Sequence, residues 1–202
     1  MKKIGVLVSG RGSNLQALID TQRAGALGGE IAVVVSNVDG APGLARARAA
    51  GIPAVCCLHQ GLSREDHDGR LVALLREHGI DLVCLAGYMR LLSPVFLAAY
   101  AGRILNVHPS LLPAFPGRDA QRQAFAYGVK VSGATVHLVE AGLDDGPILL
   151  QEAVPVAEDD TVEDLSARIL EAEHRIYPRA VRIVLEGGYA LEGRRVRVAA
   201  EA

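Results

Sequence analysis

Short apolar runs at residues 4–8, 31–35, 54–57, 82–85 and 104–107 punctuate the first half of the chain. Between them, residues 14–24, 43–50 and 64–78 carry their apolar positions at helical spacing. Strands of this length alternating with helical patterns predict repeated βαβ units and a parallel sheet. In the third helical stretch Leu71, Leu74 and Leu75 line one face, and Arg64, Glu65, Asp68 and Arg70 read as its solvated side. Beyond residue 130 the period changes. Residues 131–139 alternate, 148–156 are mostly apolar, and Gly142, Asp144, Asp145 and Gly146 lie between them, predicting an antiparallel extension of the sheet. A long helix follows, with a stripe of Val162, Leu165, Ile169, Ala172 and Ile176. Asp160 and Glu163 have the spacing of a capping box at its start, and Pro178 is expected to kink or end it. The tail from Tyr189 reads as a small hairpin about Gly193.

The chain has 202 residues, half of them hydrophobic, which suits one α/β domain with a sizeable core. Charged residues interrupt every long apolar run, so no membrane span is expected. Met1, Lys2 and Lys3 run directly into the first apolar segment, which is too short for a signal-peptide core. Cys56, Cys57 and Cys84 form neither a disulfide framework nor a CxxC pair, and the adjacent two read as buried filler. A reducing, cytoplasmic setting is the expectation. A net charge of −2 offers no broad basic surface for nucleic acid, leaving small molecules as the expected partners.

Three segments could carry chemistry. Ser9-Gly10-Arg11-Gly12-Ser13-Asn14-Leu15-Gln16 follows the first strand and opens the first helix. Its glycines permit a tight turn, Ser13 and Gln16 have capping-box spacing, and the free helix N-terminus favours a phosphate. Leu15 stands where a dinucleotide fingerprint needs its third glycine, and the Walker ending is missing. Taken alone, the same residues could also form a plain βα turn without a ligand, the less favoured of the two readings. In the second segment Asn106 and His108 are two apart at a strand end, so both project from one face. Pro109 stops the strand there, at the edge where open α/β sheets bind ligands. An amide beside an imidazolium suits a developing oxyanion and a departing nitrogen, although the pair could also be purely structural. In the third, Asp144 among glycines is either a turn former or the carboxylate that keeps His108 charged and oriented. Glu173 is a further candidate for a substrate amine. His59, His67, His78, His137 and His174 show no metal-ligand spacing, so no metal is expected. The nucleophile elbow Gly-x-Ser-x-Gly is also missing.

With these residues in view, the chain resembles the folate-dependent glycinamide ribonucleotide formyltransferases from Ile4 to about Tyr177. The resemblance rests on the Ser9–Gln16 block, Ala86-Gly87-Tyr88-Met89-Arg90-Leu91-Leu92-Ser93-Pro94, Asn106-Val107-His108-Pro109-Ser110-Leu111-Leu112-Pro113, Leu143-Asp144-Asp145-Gly146-Pro147 and Glu173-His174-Arg175-Ile176-Tyr177-Pro178, in that order. It implies a single Rossmann-like domain, mostly parallel with antiparallel C-terminal strands and helices on both faces. Within it, residues 1–107 would form the nucleotide-binding half, 108–188 the catalytic and folate-binding half, and 189–202 a tail. It further implies that Asn106, His108 and Asp144 are catalytic, and that Gly12, Ser13, Asn14, Gly87, Pro109 and Glu173 meet glycinamide ribonucleotide. Arg64, Met89, Arg90, Leu91, Leu92, Asn106, Glu140, Ala141, Gly142 and Asp144 would meet 10-formyltetrahydrofolate, with no metal and a monomer or homodimer. Gln121, Leu138 and Ala141 depart from the family pattern. Methionyl-tRNA formyltransferase, formyltetrahydrofolate hydrolase and a non-catalytic nucleotide-binding module are the competing readings. The first adds a tRNA-binding domain and the second a regulatory one.

Overall fold

The period change near residue 130 marks where a parallel sheet turns antiparallel in the computed structural model, which describes residues 1–199. The elements run β1 (Lys3–Val8), α1 (Ser13–Arg23), β2 (Glu30–Ser36), α2 (Pro42–Ala49), β3 (Ala54–Cys56), α3 (Arg64–Glu77), β4 (Leu82–Leu85), α4 (Pro94–Ala99) and β5 (Ile104–His108). Then come α5 (Ala120–Tyr127), β6 (Val131–Leu138), β7 (Ile148–Pro155), α6 (Val162–Glu186), β8 (Tyr189–Glu192) and β9 (Arg195–Val198). One sheet orders the strands β3-β2-β1-β4-β5-β6-β7-β9-β8. Pairings are parallel from β3 through β5, and β6 is antiparallel to β5 and β7. The predicted C-terminal hairpin is present and joins the sheet edge, with Arg195 of β9 opposite Ile148 of β7. The last three residues of the expected 189–202 tail lie outside the described residues.

The chain leaves β1 toward β2 on one side and returns to β4 on the other, which opens a crevice above the carboxyl ends of β1 and β4. The glycine-rich loop follows β1, residues 86–93 follow β4, and His108 ends β5, so three predicted segments meet one edge. Side chains of β1 alternate between the two faces. Val6 joins Leu15, Leu18, Ile169 and Tyr177 under α1 and α6, whereas Leu7 joins Leu71, Leu75, Phe96 and Tyr100 under α3 and α4. The Tyr177 hydroxyl donates to the Leu85 carbonyl at 2.9 Å, which pins α6 beneath the crevice.

Several sequence expectations are corrected. The α6 capping box is Thr161 with Asp164, not Asp160 with Glu163. The Thr161 hydroxyl accepts from the Asp164 N–H at 3.2 Å, and Asp160 instead accepts from Arg168 and from the Ala157 N–H. Pro178 does not end α6, which continues to Glu186. A mid-helix proline costs about 3 kcal/mol, and burial of Tyr177, Ala180, Val181 and Ile183 against the sheet outweighs it. Cys56 is exposed and Cys57 half-buried, because β3 is a three-residue edge strand that covers little. Asp68, expected in solvent, is 1% exposed, because α3 turns it beneath the segment after β4.

Two glycines carry opposite expectations. A Cβ at Gly133 of β6 would overlap the Glu152 carbonyl oxygen and come within 2.7 Å of Leu111, while one at Gly69 of α3 meets nothing within 4 Å. Gly133→Ala should destabilise the fold by about 3 kcal/mol, and Gly69→Ala should stabilise it by about 0.5–1 kcal/mol through helix propensity. Urea denaturation of both variants checks the contrast. Equal midpoints would contradict the β6–β7 packing described.

Candidate active site

The glycine-rich loop is built differently from the expected capping box. Gly12 is the N-cap of α1 at φ 70°, and no side chain caps the first turn. Gln16 instead donates to Asp20 and accepts from Arg46. The loop is braced from α2, where the Gly43 N–H donates to the Gly10 carbonyl at 3.0 Å and Arg46 Nε to the Arg11 carbonyl at 2.8 Å. A Cβ on Gly12 would sit 2.8 Å from the Gly43 Cα, so glycine is required both for the left-handed backbone and for the close approach. With no side chain capping its first turn, α1 points its free N–H groups and positive dipole end at the crevice, an arrangement suited to a phosphate.

Behind this loop Asn14 Nδ2 donates to Glu173 Oε2 at 2.9 Å, joining two predicted substrate residues 159 positions apart in sequence. Burial pushes the Glu173 carboxyl up to about 7, and the Asn14 amide opposes that only in part. Asn14 Oδ1 is buried with no protein partner, so the pair presents an acceptor to an incoming N–H donor. The raised value has a stability consequence. The folded state holds the Glu173 proton more tightly than the unfolded chain, so this contribution is fully present below about 4.5 and is lost as pH rises through about 7. Glu173→Gln, which mimics the neutral carboxyl, should therefore gain on the parent by roughly 3 kcal/mol between pH 5 and pH 8. Denaturant titrations at both pH values read this directly, and a constant difference would contradict a buried, proton-holding Glu173.

The three residues expected to be catalytic come together, through a fourth. Asn106 and His108 face β6, opposite His137 and Thr135. The His137 Nδ1 lies 2.8 Å from the Leu138 carbonyl, which can only accept, so Nδ1 carries the proton. Burial holds this ring below the usual histidine range despite that hydrogen bond and nearby Asp144. In the neutral ring Nε2 accepts from Asn106 Nδ2 at 3.2 Å, which fixes the direction of the amide and leaves its second N–H for a ligand. Asp144 Oδ1 stands 3.8 Å from the same Nε2, too long for a hydrogen bond.

On the other side Asp144 Oδ2 lies 3.4 Å from His108 Nδ1, and His108 Nε2 lies 2.9 Å from the Phe115 carbonyl. The Phe115 carbonyl can only accept, so Nε2 carries a proton, and Asp144 faces Nδ1 at ion-pair distance. Asp144 adopts φ 49° and accepts from the Gly117 N–H at 2.8 Å, tying its loop to the turn that covers His108. A Cβ at Gly146 would overlap the Leu138 carbonyl oxygen, so this loop lies hard against the end of β6.

The segment after β4 borders the same crevice. Gly87 turns at φ 75°, its carbonyl accepts from the Ser9 N–H at 3.0 Å, and the Met89 N–H donates to Ser9 Oγ at 2.9 Å. Met89 and Leu91 are exposed, and Arg90 and Leu92 half-buried. Glu140, Ala141 and Gly142 are exposed in the loop leading to Asp144, and Pro109 is half-buried beside His108. Arg64 lies on the exposed first turn of α3, 3.6 Å from Glu65. Gln121 sits at the start of α5, and Leu138, the other inner departure, is buried on β6. Sequence reading missed His137 and Asp68. His137 comes opposite Asn106 through the β5–β6 register, which the alternation of residues 131–139 does not state. Asp68 likewise carried no signal.

Comparison with known proteins fits this geometry. A family model described as formyl transferase matches residues 2–181. The chain belongs to the formyl transferase family. Within it, this formyl transferase is 45% identical to the phosphoribosylglycinamide formyltransferase of Escherichia coli strain K12, over 91% of the chain and 87% of that protein. It is 47% identical to the trifunctional purine biosynthetic protein adenosine-3 of Drosophila melanogaster over 92% of the chain, but spans only 14% of that longer protein. The crystal structure of glycinamide ribonucleotide transformylase 1 from Symbiobacterium toebii superimposes with a TM-score of 0.97 at 57% identity, covering 98% of this chain and 94% of that one.

Proposed function

We propose that this formyl transferase moves the formyl group of 10-formyltetrahydrofolate onto the amine of glycinamide ribonucleotide, yielding formylglycinamide ribonucleotide and tetrahydrofolate in purine biosynthesis. The observation that carries this reading is the convergence of Asn106, His108 and Asp144 around His137, at the edge where α1 offers its N-terminus. Relatives named for that activity support the choice of substrates. In this reading Gly12, Ser13 and Asn14 take the phosphate, with Gly87 and Pro109 lining the ribonucleotide path. Glu173 and Asn14 Oδ1 receive the glycyl amine end. Arg64, Met89–Leu92 and residues 140–144 form the folate wall, where exposed Met89 and Leu91 offer apolar surface to a flat ring.

The neutral amine attacks the formyl carbon, forming a C–N bond and placing negative charge on the formyl oxygen. The free Asn106 N–H and the positive His108 ring stabilise that charge, and Asp144 balances the ring. Collapse breaks the bond to the folate nitrogen, which takes up a proton as the new amide nitrogen gives one up. For His108 Nε2–H to reach the oxyanion it must exchange its bond with the Phe115 carbonyl. No metal enters this scheme, and the described residues contain no group of three or more potential metal ligands. No described helix is long and apolar enough to cross a membrane. The reading extends to a cytoplasmic enzyme of small molecules without a nucleic-acid partner, monomeric or homodimeric, whose catalytic and folate-binding residues come from both the 1–107 and the 108–188 halves.

The test is purified protein with 10-formyltetrahydrofolate, with and without glycinamide ribonucleotide, following tetrahydrofolate release. Release that requires the ribonucleotide and yields its formyl amide is the expected result. Equal release without it would make the protein a hydrolase, and none in either case would leave only a binding role.

A further inference from the structure

A carboxylate buried away from water is costly unless its oxygens are hydrogen-bonded, and such groups are rarely idle. Asp68, on α3, is 1% exposed. It uses Oδ2 to accept from the Ser93 N–H at 2.6 Å, and Oδ1 faces His67 Nδ1 at 3.4 Å. The fully buried His67 is anchored through Nε2 to the Cys57 carbonyl at 2.9 Å. This carboxylate therefore holds the far end of the stretch after β4. The near end is held by Ser9, whose hydroxyl accepts from the Met89 N–H and donates to Asn37 Oδ1 at 2.6 Å. Residues 89–92 thus run without helix or strand between two polar posts.

We infer that Asp68 and Ser9 are positioning residues that stretch the 89–92 segment into the shape the formyl donor binds. This rests on the folate wall proposed above. Three features favour it over a purely structural role. The segment presents Met89 and Leu91 to solvent rather than to the core, so a core-stabilising role does not explain a buried charge beneath it. Asp68 is four residues after Arg64, so the helix face that clamps the segment also carries a proposed donor contact. Ser9 opens the loop proposed to take the phosphate, so a single hydroxyl fastens the donor segment to the acceptor loop.

The experiment compares Asp68→Ala, Asp68→Asn and Ser9→Ala with the parent enzyme. Steady-state kinetics are run with each substrate varied, alongside calorimetric titration of 10-formyltetrahydrofolate without the amine and thermal melts. Losing a charge-assisted hydrogen bond is worth roughly a tenfold change or more. Asp68→Ala should accordingly raise the donor KM and Kd about 10-fold, with kcat and the ribonucleotide KM within about threefold. Asp68→Asn keeps an oxygen for the Ser93 N–H and should restore donor affinity to within about threefold of the parent. Ser9→Ala, a smaller deletion, should raise the donor KM about threefold to fivefold at an unchanged melting temperature. If both KM values rise together, or if Asn fails to restore affinity in a folded protein, the positioning role is overturned. Should Asp68→Ala not fold, Asp68→Asn and Ser9→Ala still decide it, with normal donor affinity in Ser9→Ala counting against the clamp. A parent that binds donor but transfers nothing to the ribonucleotide would instead sink the proposed function, leaving the clamp to be judged by Kd alone.

Discussion

Asp144→Asn is expected to lower kcat by roughly 100- to 1,000-fold while leaving both KM values within about threefold. The asparagine keeps the size of the side chain and an oxygen for the Gly117 N–H, now held at 2.8 Å, so the loop covering His108 should stay in place. What disappears is the negative charge 3.4 Å from His108 Nδ1. Without it the imidazolium loses its balancing partner, and an amide placed there can present its own N–H to the ring and demand the wrong tautomer. The ground-state substrates do not depend on that charge, whereas the oxyanion does, which places the loss in kcat. Near-normal turnover in this variant would remove Asp144 from the mechanism.

Asn106→Ala should cost about 100-fold in kcat, the usual scale for deleting one oxyanion donor. His137 makes this expectation specific. Because its Nδ1 proton is committed to the Leu138 carbonyl, Nε2 accepts from Asn106 and holds the amide with its other N–H directed outward. A donor already aimed needs no reorganisation as charge develops, which is why its removal falls on the transition state. Asn106→Asp should be worse still, since it sets an anion where the oxyanion forms. Pre-steady-state measurement of the formyl-transfer step separates this from slow product release. An unchanged transfer rate in Asn106→Ala would mean that the oxyanion is held elsewhere.

The parallel strands and the long helix were legible because periodicity reports burial, and the strand bounds differ from expectation by a residue or so, whereas the helix runs past its expected end at Pro178 to Glu186. The trio was legible in part. Two residues at one strand end share a face by the geometry of the strand, but nothing local states that Asp144, 36 positions beyond His108, returns to 3.4 Å from it. Where the expectations failed, a local rule met a tertiary competitor. Pro178 fits a helix end by sequence, yet it sits inside α6 because the stripe beyond it is buried on the sheet. Ser13 fits a cap, yet the cap position belongs to Gly12, because α2 presses against the loop.

By itself, the order of apolar runs determined a parallel α/β sheet with an antiparallel extension, and the glycines and Asn106-Val107-His108-Pro109 placed candidate chemistry at strand ends. These follow from interactions within a few residues, where spacing alone decides which face a side chain occupies. Only the tertiary structure decided that Asp68 is buried beneath the 89–92 segment, that Glu173 meets Asn14, and that His137 orients Asn106. Each of these joins residues far apart in the chain, and a polar residue's environment depends on what the fold packs against it, which local pattern does not encode.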